Sequence, residues 1–163
     1  IEVGIDAHRK LDAYVDRQPE MQRFVRRFDR PMRRYAGIVA DIFYDHLLAT
    51  NWLRYYAQSL DEFCQSFYGE LLRHRDVLPS RAQAFADQAP KVRWLQNYSD
   101  ESNLPLILSR VGSRSKKPLA LQDALPTVAE YRAEISSDFH RLYPRLQSFM
   151  QGTLDQTNLD SAG

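Results

Sequence analysis

Cysteine and glycine are scarce in this chain of 163 residues, and each shortage excludes certain kinds of site. Cys64 is the only cysteine, so neither an internal disulfide nor a structural zinc site built on several cysteines can form. The six glycines make no Gly-x-Gly-x-x-Gly or Walker-type phosphate loop, and no Gly-x-Ser-x-Gly nucleophile turn occurs. The single cysteine is typical of a reducing compartment, which predicts a cytoplasmic location.

Long hydrophobic runs and a strong net charge are also lacking. No apolar run approaches the roughly 20 residues that span a bilayer, and no signal peptide is recognisable, so we expect no membrane partner. The formal net charge is +1, which argues against nucleic acid as the partner. The hydrophobic share of 44% is sufficient for a core, and the length fits one domain.

Apolar residues recur at helical spacing almost throughout, and no strand-like alternation persists. This pattern predicts an all-α, single-domain helical bundle over residues 1–150, followed by a polar, frayed tail at 151–163. Ser59 with Glu62 predicts a capped helix start, Gly112 is expected to stop a short helix and begin a loop over 112–118, and Pro144 is expected to kink or break the last helix.

Buried positions follow from the same pattern. Cys64 lies on an apolar face, which indicates a core residue rather than a nucleophile. Trp94 and Tyr98 are predicted to be core aromatics, with the lining of a substrate groove as the alternative.

Acidic and histidine residues cluster in two early segments. His8, Asp12 and Asp16 recur every four residues and so share one helix face, as do Asp41 and Asp45 in a later helix. On its spacing alone the first stripe favours a solvated helix face with a surface ion pair, and a metal site there would need partners elsewhere in the chain. The second lies in an apolar segment, where carboxylates need a cation, either an arginine or a metal. An oxygen-rich set with imidazole suits Mn²⁺ or Mg²⁺.

Basic residues crowd into two stretches despite the low net charge. Arginines are concentrated between residues 23 and 34, and a second basic run occupies 110–117. Each reads either as a solvated face or as a surface for an acidic partner or a phosphate group, because guanidinium binds phosphate in a fork. The predicted partner-binding residues are Arg23, Arg26, Arg27, Arg30, Lys116 and Lys117.

Two blocks together resemble the bacterial acyl carrier protein phosphodiesterases. Residues 4–12, read GIDAHRKLD and followed by Asp16, are similar to that family's GI-x-x-HR-x-ID-x-x-x-D stretch. The family's next block is similar to Arg33-Arg34, Asp41, Asp45-His46-Leu47 and Trp52. Later residues follow in the family's order: Trp94-Leu95, Tyr98, Ser113-Arg114 and Tyr143-Pro144. The likeness extends to about Met150. An earlier family segment, with an LAHLHLA-like helix and a GDF motif whose Asp is a metal ligand, has no counterpart here. In the family's pattern, that segment supplies a metal ligand in addition to those of the two blocks that match here.

The resemblance implies a fold distantly like the HD-type metal-dependent phosphohydrolases. It also implies a role in fatty acid biosynthesis and lipid metabolism: hydrolysis of 4′-phosphopantetheine from the serine of holo acyl carrier protein, with Mn²⁺ as the expected cofactor and Mg²⁺ as the other candidate. The site residues expected on this basis are His8, Asp12, Asp41 and Asp45 as metal ligands, His8, Asp12, Asp45 and His46 as catalytic residues, and Arg9, Arg34 and Arg114 as phosphate-binding residues.

Two other functions fit the sequence. One is a non-catalytic helical binding module for an acidic protein. The other is an HD-like phosphohydrolase that acts on nucleotides.

Overall fold

The computed structural model of the chain describes residues 2–115 and 119–160, and the side chains of residues 6–115 and 119–156. Within these ranges the chain forms α-helices and short 3₁₀ turns but no strand, which confirms the all-α prediction. The helices are α1 (Glu2–Asp16), α2 (Pro19–Arg26), α3 (Ala36–Thr50), α4 (Leu60–Arg73), α5 (Ser80–Gln88), α6 (Leu104–Ser113), α7 (Leu125–Glu130) and α8 (Arg132–Asp160). None of the described helices is long and apolar enough to cross a membrane.

The chain divides into two compact units, and the division falls inside α3. The first unit comprises residues 1–40 and 123–163, and the second comprises residues 41–122. In the first unit, α8 packs against α1, α2 and α7. Its core is aromatic and aliphatic, and its buried side chains include Phe24, Phe28, Val128, Ile135, Phe139 and Leu142.

The second unit is organised around α4, which packs against α5. A capping box starts α4 as predicted: the Ser59 hydroxyl accepts from the Glu62 amide, and the Glu62 carboxylate accepts from the Ser59 amide. Cys64 is fully buried with Tyr68 and Ala89, which confirms its assignment to the core.

The last helical segment differs from its prediction at both ends. The break falls at Tyr131, between α7 and α8, and Pro144 lies inside the continuous α8. Residues 151–160 extend α8, so the expectation of a frayed tail from Gln151 is wrong up to Asp160. A proline removes only one hydrogen bond donor, and the helix around Pro144 continues because its apolar face is packed in the first unit.

Gly112 does not stop α6, which continues through Ser113. A Cβ added at Gly112 would lie 2.1 Å from the Leu119 carbonyl oxygen, so glycine is required here by the close approach of that backbone. The predicted loop thus begins after Ser113, and residues 116–118 lie outside the described part of the chain.

Candidate functional site

Three polar side chains project from α3, a helix that is otherwise largely buried. Asp41 and Asp45 are one helical turn apart and both are exposed, whereas His46 is buried with only 2% of its surface accessible. The side chains of Ile42, Phe43 and Leu47 are buried around them. The stripe is therefore a pair of accessible carboxylates on a stretch of helix, residues 39–47, in which every other residue is buried.

Asp45 has an unusual protonation equilibrium. Burial of its carboxylate among protein atoms, together with the negative charge of Asp41, raises its pKa from 3.8 to about 7. The residue nevertheless remains accessible to solvent. An added cation at this carboxyl group would relieve both the desolvation of its charge and the repulsion between the two aspartates.

His46 is held in one ring orientation by a single backbone contact. Its Nδ1 lies 2.8 Å from the carbonyl oxygen of Tyr98, and because a carbonyl can only accept, Nδ1 carries the proton. In the neutral ring Nε2 then presents a lone pair. This atom is buried and has no hydrogen bond partner among the described residues. A buried ring nitrogen left in this state is typical of a site that receives an ion or a proton.

Tyr98 connects the acidic pair to a basic residue. Burial, together with the negative charges of Asp45 and Asp41, raises the pKa of its hydroxyl to about 12 against the opposing charge of Arg114. Arg114 is exposed at the end of α6. Carboxylates, an imidazole and a guanidinium of the second unit are therefore all near the Tyr98 side chain or its carbonyl.

The donors on α3 fit a hard divalent metal ion. Carboxylate oxygens with one imidazole suit Mn²⁺ or Mg²⁺, and the backbone-anchored Nδ1–H of His46 is the arrangement found behind metal-binding histidines. No group of three or more His, Cys, Asp or Glu side chains is arranged to hold an ion within the part of the chain that the structure describes. The metal site stays a prediction.

The other two predicted ligands lie in the first unit. His8 Nδ1 is 3.7 Å from Asp12 Oδ1, and the two side chains are 74% and 61% exposed. Asp16, on the same stripe, is also exposed. The pair matches the solvated helix face that the sequence left open, and the role of His8 and Asp12 as ligands stays a prediction.

The first arginine stretch is divided between an inward and an outward set. Arg23 and Arg27 bind the buried carboxylate of Asp138, with Arg23 Nη2 2.8 Å and Arg27 Nη2 3.4 Å from its oxygens. Arg26 and Arg30 are exposed. The structure therefore gives Arg23 and Arg27 a structural ion pair in addition to any role in binding a partner.

The remaining predicted binding residues are accessible where they are described. Arg9 and Arg34 are exposed in the first unit, and Arg114 is exposed in the second. Lys116 and Lys117 lie outside the described residues.

Sequence reasoning missed two features of these sites. The Tyr98 carbonyl is a backbone group, so no residue type could signal it. Asp138 was detectable: it lies three residues after Ile135 and four before Leu142, on the apolar stripe of α8, where an acid requires a buried partner.

Comparison with known proteins shows which family this chain is similar to. The family model described as acyl carrier protein phosphodiesterase matches residues 1–146. A relative of that name from Serratia proteamaculans is 28% identical over 144 residues, which cover 88% of this chain and 75% of the relative. One from Yersinia enterocolitica is 27% identical over 152 residues, covering 93% and 79% of the two chains. No solved structure matches the chain.

Proposed function

The chain belongs to the acyl carrier protein phosphodiesterase family, and on this premise we propose that it hydrolyses the phosphodiester between 4′-phosphopantetheine and a serine of holo acyl carrier protein. The products are apo carrier protein and free 4′-phosphopantetheine. The observation that supports a site in this chain is the anchored His46 ring, with its buried Nε2 lone pair, on the helix that carries Asp41 and Asp45.

The reaction exchanges one bond at phosphorus for another and transfers one proton. A water oxygen bonds to phosphorus, the bond from phosphorus to the serine oxygen breaks, and that oxygen takes up a proton. A bound divalent ion supplies polarisation of the phosphoryl oxygen and a lower pKa for water. Asp41 and Asp45 would hold this ion, and His46 Nε2 would act as a further ligand or accept the proton of the attacking water and pass it to the serine oxygen. Arg114, the predicted phosphate-binding residue of the same unit, would bind the phosphate oxygens.

The direct test is the mass of the carrier protein. We expect the full chain with Mn²⁺ to remove the phosphopantetheine mass from holo acyl carrier protein, a chelator to abolish this activity and added Mn²⁺ to restore it. A nucleotide panel run in parallel should remain intact. Hydrolysis of nucleotides alone would indicate an HD-like nucleotide phosphohydrolase, and binding of carrier protein without any hydrolysis would indicate a binding module.

Docking of the carrier protein is expected to depend on salt. Carrier proteins of this kind are typically acidic, and the exposed Arg26 and Arg30 present positive charge outside the ion pair around Asp138. Because salt screens exposed charges, the KM should rise by roughly tenfold between low and high salt, with kcat little changed. Arg26→Glu and Arg30→Glu, each made singly, should raise the KM at low salt, whereas Arg81→Glu on α5 serves as the charge-matched control. A KM that is independent of salt would refute electrostatic docking.

A further inference from the structure

A recess in the second unit opens beside Tyr98 and has a volume of about 200 Å³. Apolar side chains form one part of its lining and two arginines form another. We name it the Trp94 recess; it is lined by Val92, Trp94, Tyr98, Ile107, Val111, Arg110 and Arg114, together with Asn97. An apolar wall beside guanidinium groups suits a ligand that carries an anionic group next to a hydrocarbon group.

The Trp94 recess adjoins the candidate catalytic residues through Tyr98. The Tyr98 ring lines the recess, and its carbonyl holds the His46 ring at 2.8 Å. Asp41 and Asp45 act electrostatically on the Tyr98 hydroxyl, and so does Arg114. A phosphate bound between Arg114 and the α3 carboxylate site would therefore have the recess directly beside it.

Trp94 accounts for the apolar wall, and here the structure corrects the sequence prediction. The sequence predicted that Trp94 and Tyr98 are core residues; Tyr98 is 7% exposed, but Trp94 is 37% exposed and Val92 is 52% exposed. Phe85 and Tyr98 contact Trp94 edge to face, with ring centroids 5.0 and 5.8 Å away. These contacts fix the indole while part of its surface remains open to the recess.

The recess holds two arginines, and so does the larger groove of the same unit, which is lined by Arg54 and Arg93. That groove has a volume of about 560 Å³, and its Arg93 is bound to Asp61 at 2.9 Å. Neither Arg110 nor Arg114 forms an ion pair with any residue that the structure describes. Both arginines of the recess therefore have guanidinium charge available to a ligand phosphate.

We propose that the Trp94 recess binds the pantoyl portion of the 4′-phosphopantetheine arm, with Arg114 on the phosphate and Trp94 against the gem-dimethyl group. The assignment rests on the proposed function. Its chemical basis is the order of groups in the arm, in which a single methylene separates the phosphate ester oxygen from the dimethyl carbon. A phosphate held at Arg114 thus delivers two methyl groups to the apolar wall. The recess acts as a specificity site that distinguishes a pantetheine ester from other phosphodiesters.

The test compares two ligands that differ only by the arm. Isothermal titration of the Mn²⁺-loaded full chain with 4′-phosphopantetheine and with inorganic phosphate should show tighter binding of the former. Trp94→Ala should weaken the binding of 4′-phosphopantetheine by about tenfold, the effect expected for losing contact with two methyl groups. The affinity for inorganic phosphate should be unchanged. Val92→Ser, at a position more than half exposed, should give a smaller change in the same direction without endangering the fold.

Leu106→Ala is the matched control, because Leu106 is an exposed apolar residue of α6 outside the recess. Unchanged 4′-phosphopantetheine binding in folded Trp94→Ala and Val92→Ser would overturn the assignment, as would an equal loss for both ligands. Failure of the unmodified chain to bind 4′-phosphopantetheine would overturn it as well. Weaker binding of apo carrier protein alone would place the carrier, rather than its arm, in the recess. Hydrolysis of holo carrier protein, measured in parallel, shows whether the proposed function stands independently.

Discussion

Asp45→Asn is expected to lower the turnover of holo acyl carrier protein by about a hundred- to ten-thousandfold, the range found when a group acting directly on the reacting atoms is removed. The asparagine keeps the size of the side chain but loses the charge that would hold a divalent ion. Single-turnover kinetics with Mn²⁺ will measure the loss. Asp76→Asn, at a fully exposed position of the same unit, is the matched control. Turnover close to that of the control would show that Asp45 only balances a nearby arginine.

The same substitution is expected to stabilise the metal-free protein at alkaline pH. The folded-state pKa of Asp45 is about 7, above its ordinary value of 3.8, so the folded protein holds this proton more tightly than the unfolded chain. Stability therefore falls as pH rises from about 4 to 7, and the penalty is complete above 7. Asparagine has no charge to desolvate and so causes no such loss of stability. At pH 8 and in the presence of a chelator, the melting temperature of the Asp45→Asn protein should therefore exceed that of the unmodified protein. The difference should disappear near pH 4.

Helical spacing in the sequence predicted most of the fold because the local signals and the packing agree. The Ser59–Glu62 capping box starts α4, and the apolar face that includes Cys64 enters the core of the second unit. The failures occur where tertiary contacts override a local signal. Pro144 does not break α8, and Gly112 is required by the approach of Leu119 rather than by a helix end.

The candidate site was less predictable than the fold, because the contacts that define it involve a backbone carbonyl and tertiary packing, which residue types do not reveal. The sequence identified Asp41, Asp45 and His46 from their spacing on one apolar helix. It could not show that the Tyr98 carbonyl fixes the His46 ring, or that Trp94 faces a recess. For the same reason, a charge count placed Arg23 among partner-binding residues, although the structure shows that its guanidinium binds a carboxylate 115 residues away in sequence.

Asp138→Ala is expected to cause the largest loss of stability among the substitutions considered. Its carboxylate is 2% exposed and accepts from Arg23, Arg27 and Arg141. Burial alone raises the pKa of Asp138, but the hydrogen bonds and charges of Arg23 and Arg27 outweigh this effect, so the net pKa is lowered. Removing the carboxylate leaves these guanidinium groups without their shared acceptor. Because Arg23 and Arg141 are partly solvated, we expect a loss of about 2–4 kcal/mol in the free energy of unfolding.

Urea denaturation at pH 7 will measure this loss, and Glu134→Gln provides the control because Glu134 lines the same surface depression but is exposed. The pH dependence gives a second, independent measure. A lowered folded-state pKa means that the contribution of Asp138 is present above its ordinary value of 3.8 and is lost as pH falls through the folded value. The gap between the unmodified protein and Asp138→Ala should therefore narrow in acid. If Asp138→Ala is no less stable than Glu134→Gln, the ion pairs of Asp138 do not stabilise the fold. Arg23 and Arg27 would then be available for docking the carrier protein.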